Sequence, residues 1–135
     1  MKKILTTLAC AVVALATSAI GGEYPDISIN ELKTAIKDGK VTVIDVNGSA
    51  GYAKGHIPGA VDFRATKDLA SVLPKDKGAL IVAYCGGPSC SAYKAAAEAA
   101  EKLGYTNVKH LSAGISGWLQ AGEATEKPKA SGSQG

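Results

Sequence analysis

Arginine is nearly missing from this chain: Arg64 is its sole representative among 15 basic residues. Histidine occurs twice, at His56 and His110, without the short spacing of a metal-ligand pair. No stretch interleaves basic and aromatic residues, so the footprint of a nucleic-acid-binding surface is missing. No segment repeats, which excludes a solenoid or propeller. The longest apolar run, Ile4 to Ile20, falls short of the ~20 residues a membrane span needs. Cysteine is scarce as well, with three residues in 135. That is too few for a disulfide framework to define the fold, so the cysteines read better as a site.

What is present begins with a leader-like segment. Lys2 and Lys3 precede the apolar run, and small residues follow at Ala14, Ala16, Ser18 and Ala19 before the polar Glu23-Tyr24-Pro25. This order of charge, apolar run and small residues is that of a secretory signal peptide, with cleavage expected between Ala16 and Gly22. The expected organisation is a leader over 1–22, one domain over 23–121 and a disordered tail over 122–135, rich in Glu, Lys, Pro, Ser and Gly. Only an uncleaved leader would tie the chain to a membrane. Cys10 does not suit lipid attachment, because Thr7 precedes it and the apolar run continues past it. It is expected to leave with the leader.

The mature chain, about 115 residues, is long enough to bury about two-thirds of its unfolded surface in one core. Of 15 basic and 12 acidic residues, loss of Lys2 and Lys3 leaves 13 against 12, a net charge of +1. The basic balance of the full chain is thus largely a leader effect, and no nucleic-acid partner is implied. Export, to a periplasmic or similar oxidising compartment, would leave Cys85 and Cys90 as the two cysteines.

Along the domain, helical and extended segments alternate. Ile27 opens a short apolar segment, and Ser28-Ile29-Asn30-Glu31 has the capping-box pattern before Leu32, Ala35 and Ile36. Val41 to Val46 is a β-branched run between glycine-containing turns, and Gly59 to Phe63 is a shorter extended candidate. A helical turn or two is expected from Asp68 to Leu73, stopped by Pro74. Ala79 to Tyr84 is a continuous apolar run, the mark of a central strand covered on both faces. A helix is expected over Ser91 to Leu103, a strand over Asn107 to Leu111, and a last helix over Ile115 to Ala121 with Trp118 and Leu119 inward. Such alternation predicts an α/β fold with a mostly parallel, five-stranded sheet and helices on both faces. In a parallel sheet the loops leaving the strand C-termini share one rim, where ligands bind. That rim should hold Asn47-Gly48-Ser49, Arg64, the segment Cys85 to Ser91, and Ser112-Ala113-Gly114.

Tyr84-Cys85-Gly86-Gly87-Pro88-Ser89-Cys90-Ser91 joins the central strand to the long helix. A thiol attacks as its thiolate, and a free pKa near ~8.5 leaves little of it at neutral pH. A loop leading into a helix N-terminus offers unpaired N–H groups and the positive end of the helix dipole. Gly86 and Gly87 can turn their amides inward as an anion-holding nest, in which Pro88 leaves one gap. Cys85 is therefore the candidate nucleophile, against the plainer reading of a buried structural cysteine. Cys90 either resolves an oxidised or persulfidated Cys85 as a disulfide or fills a small apolar niche. The Cα separation decides, with ~7 Å as the limit.

These residues resemble the rhodanese-like family. Val43-Ile44-Asp45-Val46, Tyr52 and Gly55-His56-Ile57-Pro58-Gly59-Ala60 are similar to its Asp-containing strand and Gly-His-Ile-Pro-Gly-Ala turn. Tyr84-Cys85 with its loop resembles the family's active-site loop, and Gly104 to Val108 with Ala113 to Trp118 resembles its C-terminal signature. The resemblance runs from about Ile27 to Trp118. It implies a sulfurtransferase without cofactor or metal, in which the Cys85 thiolate takes the outer sulfur of thiosulfate or another persulfide. The sulfur is held as a persulfide and passed to a thiophilic acceptor such as a thiol. The loop positions it implies are Gly86, Gly87, Pro88, Ser89, Cys90 and Ser91.

Three departures bear on the donor. Asn47 stands where many members carry arginine, Cys90 takes another frequent arginine position, and Pro88 replaces a loop glycine. Missing guanidinium groups weaken the case for a dianionic donor. Arg64 is expected either to reach over the rim as partial compensation or to pair with Asp62 or Asp68. Asp45 is expected to tie loops together at its strand end, His56 to hydrogen-bond its turn and Trp118 to anchor the core; Tyr52 and Tyr93 are candidate pocket walls. Cys85, Cys90 and His110 could form a soft-metal site for copper(I) or zinc, though nothing in their spacing supports it. Two other functions compete with sulfur transfer: a thiol–disulfide redox protein working through Cys85 and Cys90, and a non-catalytic module whose rim binds anions, copper or a partner.

Overall fold

The computed structural model describes residues 24–128. The leader expected over 1–22, Cys10, the cleavage point and the last residues of the tail lie outside this range. Nine elements follow in order: α1 (Ile29–Lys37), β1 (Val41–Asp45), α2 (Ser49–Lys54), β2 (Val61–Asp62), α3 (Leu69–Val72), β3 (Leu80–Tyr84), α4 (Tyr93–Lys102), β4 (Val108–His110) and α5 (Gly114–Gln120). The strands lie in the order β2-β1-β3-β4, all parallel. No helix among the described residues is long and apolar enough to cross a membrane.

Alternation along the strands builds two cores. Ile44, Ile81, Ala83 and Cys85 face one side, with Tyr93, Ala96, Ala97 and Ala100 of α4. Val43, Val82 and Tyr84 face the other, with Leu32 of α1 and Trp118 of α5. Both faces of β3 are thus covered, which explains its uninterrupted apolar sequence. Helix α1 starts as its sequence predicts: Ser28 Oγ accepts from the Glu31 amide at 3.1 Å, and the Glu31 carboxylate accepts from the Ser28 amide at 2.9 Å. That bond from the Ser28 amide holds the Glu31 carboxyl below its ordinary pKa.

Among the described residues the sheet has four strands rather than the five expected. The segment at Ile27 contributes a single parallel bridge, Asp26 to His110, through Ile27 N to His110 O and His110 N to Pro25 O, both 2.9 Å. Pro25 has no N–H to continue the ladder, and Ser28 already caps α1, so the pairing cannot lengthen. Helix α2 was not foreseen, because Gly48, Gly51 and Gly55 within and around it erase any helical periodicity. Leu119 is 56% exposed rather than inward; with Trp118 buried, the next helical residue points about 100° away.

A disordered tail from Gly122 is not what residues 122–128 show. Glu126 exchanges two backbone hydrogen bonds of 2.9 Å with His56, Trp118 Nε1 donates to Ala124 O at 2.8 Å, and Lys33 Nζ lies 2.7 Å from Glu123 Oε1. The segment's backbone has partners on the domain, which its polar composition did not reveal.

Candidate functional site

The parallel topology places the ends of all four strands on one rim, and a buried network fixes their spacing. Asp45 is 1% exposed. Its Oδ2 accepts from Tyr84 Oη at 2.6 Å and its Oδ1 from the Asn47 amide at 2.7 Å. Tyr84 Oη in turn accepts from the Ile57 amide at 3.0 Å. Burial and the bond to Asp45 push the Tyr84 phenol far above its ordinary pKa, so it stays a donor. Asp45 thus ties the strand ends to the loop after β1, as its sequence position suggests. His56 holds its turn: Nδ1 lies 3.0 Å from Tyr52 O, and its ring stacks on Tyr52 at 3.7 Å.

The cysteine loop is oriented by α5. The amides of Ile115 and Ser116 donate to the carbonyls of Cys85 at 2.9 Å and Gly86 at 3.0 Å. In a trans peptide the N–H points opposite to the C=O, and no cis bond occurs among the described residues. The amides of Gly86 and Gly87 therefore point away from α5. Among the described residues, neither they nor the amides of Ser89, Ser91 and Ala92 have a hydrogen-bond partner. Helix α4 begins here with no side-chain cap on Ala92, so its orphan N–H groups and positive dipole end face the same loop.

This contact demands glycine at position 114. Its φ is +61°, and a Cβ there would lie 2.6 Å from Gly86 C and Gly87 N and 2.7 Å from Cys85 O. These are backbone atoms that cannot step aside. The Ala113-Gly114 signature thus has a steric reason within this chain.

Cys85 and Cys90 are joined as a disulfide, with Cα atoms 6.3 Å apart. The sequence alone left this open. Cys85 is 1% exposed and belongs to the α4 face of the core, whereas Cys90 is half-buried. The Cys90 amide donates to Gly87 O at 3.1 Å, closing the loop on itself.

Two open clefts flank the loop. One, about 490 Å³, is lined by Val46, Gly48, Phe63, Arg64, Ala92 and Ala95. Arg64 therefore lies on the rim beside the start of α4. It pairs with neither acid proposed for it: Asp62 Oδ1 accepts from the Arg64 and Ala65 amides, and Asp68 caps α3 through the Ala70 amide. Asn47 stands elsewhere on the rim, with Oδ1 3.8 Å from where a Cβ on Gly86 would sit. The other cleft, about 370 Å³, is lined by Cys90, Tyr93, Lys94, His110 and their neighbours. Of these, the sequence singled out Cys90, Tyr93 and His110 but not Lys94 or Tyr24, which carry no motif. Among the described residues no group of three His, Cys, Asp or Glu side chains is placed to hold a metal ion, so His110 does not join the cysteines as a ligand set.

Comparison with known proteins agrees with this architecture. The rhodanese-like domain family model matches residues 28–121. An HTH-type transcriptional regulator of Mycobacterium tuberculosis is 34% identical over 113 residues, 82% of this chain, which spans 49% of the regulator's length. The structure superposes on a thiosulfate sulfurtransferase of Pseudomonas aeruginosa with TM-score 0.65 and 28% identity, covering 80% of this chain and 20% of that one. It also matches the rhodanese-like domain of an Anabaena protein with TM-score 0.62 and 24% identity, covering 84% and 87% of the two chains. With the family model spanning the domain, and with the parallel sheet, the strand-to-helix cysteine loop and the glycine beneath it in place, the chain belongs to the rhodanese-like domain family.

Proposed function

We propose that the chain is a sulfurtransferase of rhodanese type, acting through Cys85 when the loop is reduced. The observation that carries this reading is the turning of the Gly86 and Gly87 amides away from α5 by the Ile115 and Ser116 hydrogen bonds. Amides so placed, with the uncapped start of α4, favour an anionic sulfur on Cys85 over the neutral thiol. The thiolate attacks the outer sulfur of an anionic donor; the S–S bond of the donor breaks and its electron pair leaves with the remaining anion, sulfite in the case of thiosulfate. A thiol acceptor then attacks the Cys85 persulfide and the thiolate returns, a covalent relay in two displacements. Arg64, free of Asp62 and Asp68, supplies positive charge on the rim for the donor. An exported setting, suggested by the leader-like segment, fits the role and accounts for the closed disulfide.

The disulfide itself favours a second reading, thiol–disulfide exchange through Cys85 and Cys90. Mass spectrometry of the reduced protein after thiosulfate or polysulfide separates the two. Sulfur transfer predicts a gain of one sulfur atom that Cys85→Ala abolishes. A redox protein predicts only a reversible loss of two hydrogens that Cys90→Ser abolishes. A reduced Cys85 that takes up no sulfur from either donor overturns the sulfurtransferase reading.

A further inference from the structure

While the disulfide is closed, the two sulfurs differ in access. Cys85 is 1% exposed, so a dissolved thiol has no approach to it. Cys90 is half-buried and lines the cleft of about 370 Å³ together with Tyr24, Tyr93, Lys94, His110 and Ser112. This cleft shares no lining residue with the Arg64 cleft on the other flank.

Its walls are built from stacked rings. Tyr93 and His110 lie face to face at 3.4 Å, and Tyr24 meets Tyr93 edge-on at 6.4 Å. The Tyr24 hydroxyl is held by Glu101 at 2.7 Å. His110 is 8% exposed, and its Nε2 makes no hydrogen bond among the described residues. Lys94 is its only lysine or arginine and forms no ion pair among the described residues.

We propose that this cleft binds a small thiol bearing a carboxylate, and that this thiol opens the disulfide at Cys90, setting Cys85 free. The carboxylate faces Lys94 while the sulfur approaches Cys90. In the first step the ligand's thiolate forms a bond to Cys90 Sγ. The Cys85–Cys90 bond breaks, and its electron pair leaves on Cys85 Sγ, at the junction where the Gly86 and Gly87 amides are unpaired. A sulfur stabilised as its anion is the better leaving group, so the bond breaks in this sense. In the second step another thiolate attacks the ligand's sulfur in the mixed disulfide and Cys90 leaves as a thiolate. Two ligand thiols are oxidised to one disulfide, the protein disulfide is reduced to two thiols, and the two protons pass to the protein thiols or to water. The product is the reduced Cys85 on which the proposed sulfur transfer rests.

The oxidised full chain is treated with 3-mercaptopropionate, 2-mercaptoethanol or cysteamine at equal thiolate concentration, with no sulfur donor present. Each rate, divided by the rate of the same thiol with a small uncharged disulfide to remove the effect of thiol basicity, is expected to be highest for the carboxylate thiol and lowest for the cationic one. Lys94→Gln should lower the carboxylate preference about two- to fivefold, the size of one partly exposed charge contact. It should change the 2-mercaptoethanol rate less than the 3-mercaptopropionate rate, and Lys94→Arg should restore the preference. After a rapid acid quench, fragment spectra of the tryptic peptide 78–94 should place the adduct on Cys90. An adduct on Cys85, equal relative rates for the three thiols, or a preference that Lys94→Gln leaves undiminished overturns the inference. Because sulfane sulfur is absent from the assay, none of these outcomes depends on whether Cys85 transfers sulfur.

Discussion

Replacing Gly114 by alanine tests the link between α5 and the cysteine loop. Alanine in the left-handed region costs roughly 1–2 kcal/mol. Its Cβ would also fall 2.6 Å from Gly86 C and Gly87 N, and forcing an atom into packed surroundings adds about 1–3 kcal/mol. The sum is about 2–5 kcal/mol. For a domain of about 100 residues each kcal/mol moves Tm by about 4–8 °C, so a fall of at least about 8 °C is expected. Gly39→Ala is the matched control: φ there is +66°, but a Cβ would meet nothing within 4 Å. It should lose only the conformational share, roughly 1–2 kcal/mol. The second readout is chemical. If α5 is pushed off the loop, the Ile115 and Ser116 bonds weaken and the Gly86 and Gly87 amides lose their fixed direction. Iodoacetamide alkylation of Cys85, followed against pH in a Cys90→Ser background, should then shift to higher pH in Gly114→Ala and stay put in Gly39→Ala. Equal destabilisation by the two substitutions, or an unmoved alkylation profile in Gly114→Ala, would refute the reasoning.

Arg64→Ala should raise KM for thiosulfate about two- to fivefold with little change in kcat, as loss of one exposed charge contact predicts; unchanged steady-state kinetics would remove Arg64 from the donor site. Tyr84→Phe leaves the Ile57 amide and the Asp45 carboxylate without their shared hydroxyl, and should cost about 2–4 kcal/mol. A lowered urea midpoint at constant slope would show it, and a shift below about 0.5 kcal/mol would contradict the network. Burial, only partly offset by Asp26, holds His110 below its ordinary pKa. The unfolded chain therefore gains the proton first as pH falls. Stability from this residue is intact above the ordinary histidine value of ~6.5, declines as pH drops below it, and levels off below the folded value. His110→Phe keeps the ring against Tyr93 and should flatten the decline in Tm between pH 7.5 and about 5.5; an identical slope in both proteins would contradict it.

Much of the fold was legible because its signals are local. The β-branched run gave β1, the continuous apolar run gave β3, and Ser28 with Glu31 gave the start of α1. The fifth strand failed for an equally local reason, since Pro25 and Ser28 leave room for one bridge. Long-range partners were harder to foresee. Nothing in the composition of residues 122–128 indicates that Glu126 meets His56, or that Trp118 reaches Ala124. At the site, Cys85 and its glycines stood out from their junction between strand and helix. The joining of Cys85 to Cys90 was one of two open alternatives, because a separation of five residues sets no Cα distance until the loop path is known. The cleft beside Cys90 was hidden for the same reason: Tyr24, Lys94 and His110 come from three distant parts of the chain.

The apolar run of β3 has a further cost for folding. With both faces covered, hydrophobicity alone does not say which residues belong to which side, and a slide by one position would exchange them all. The misaligned strand would send the thiol of Cys85 toward Trp118 and leave a phenol beneath α4. The oxygen of Tyr84 distinguishes the two alignments chemically, since it answers both Asp45 and Ile57. That tyrosine, one residue before Cys85, acts as the index mark that decides on which side of the sheet the sulfur emerges.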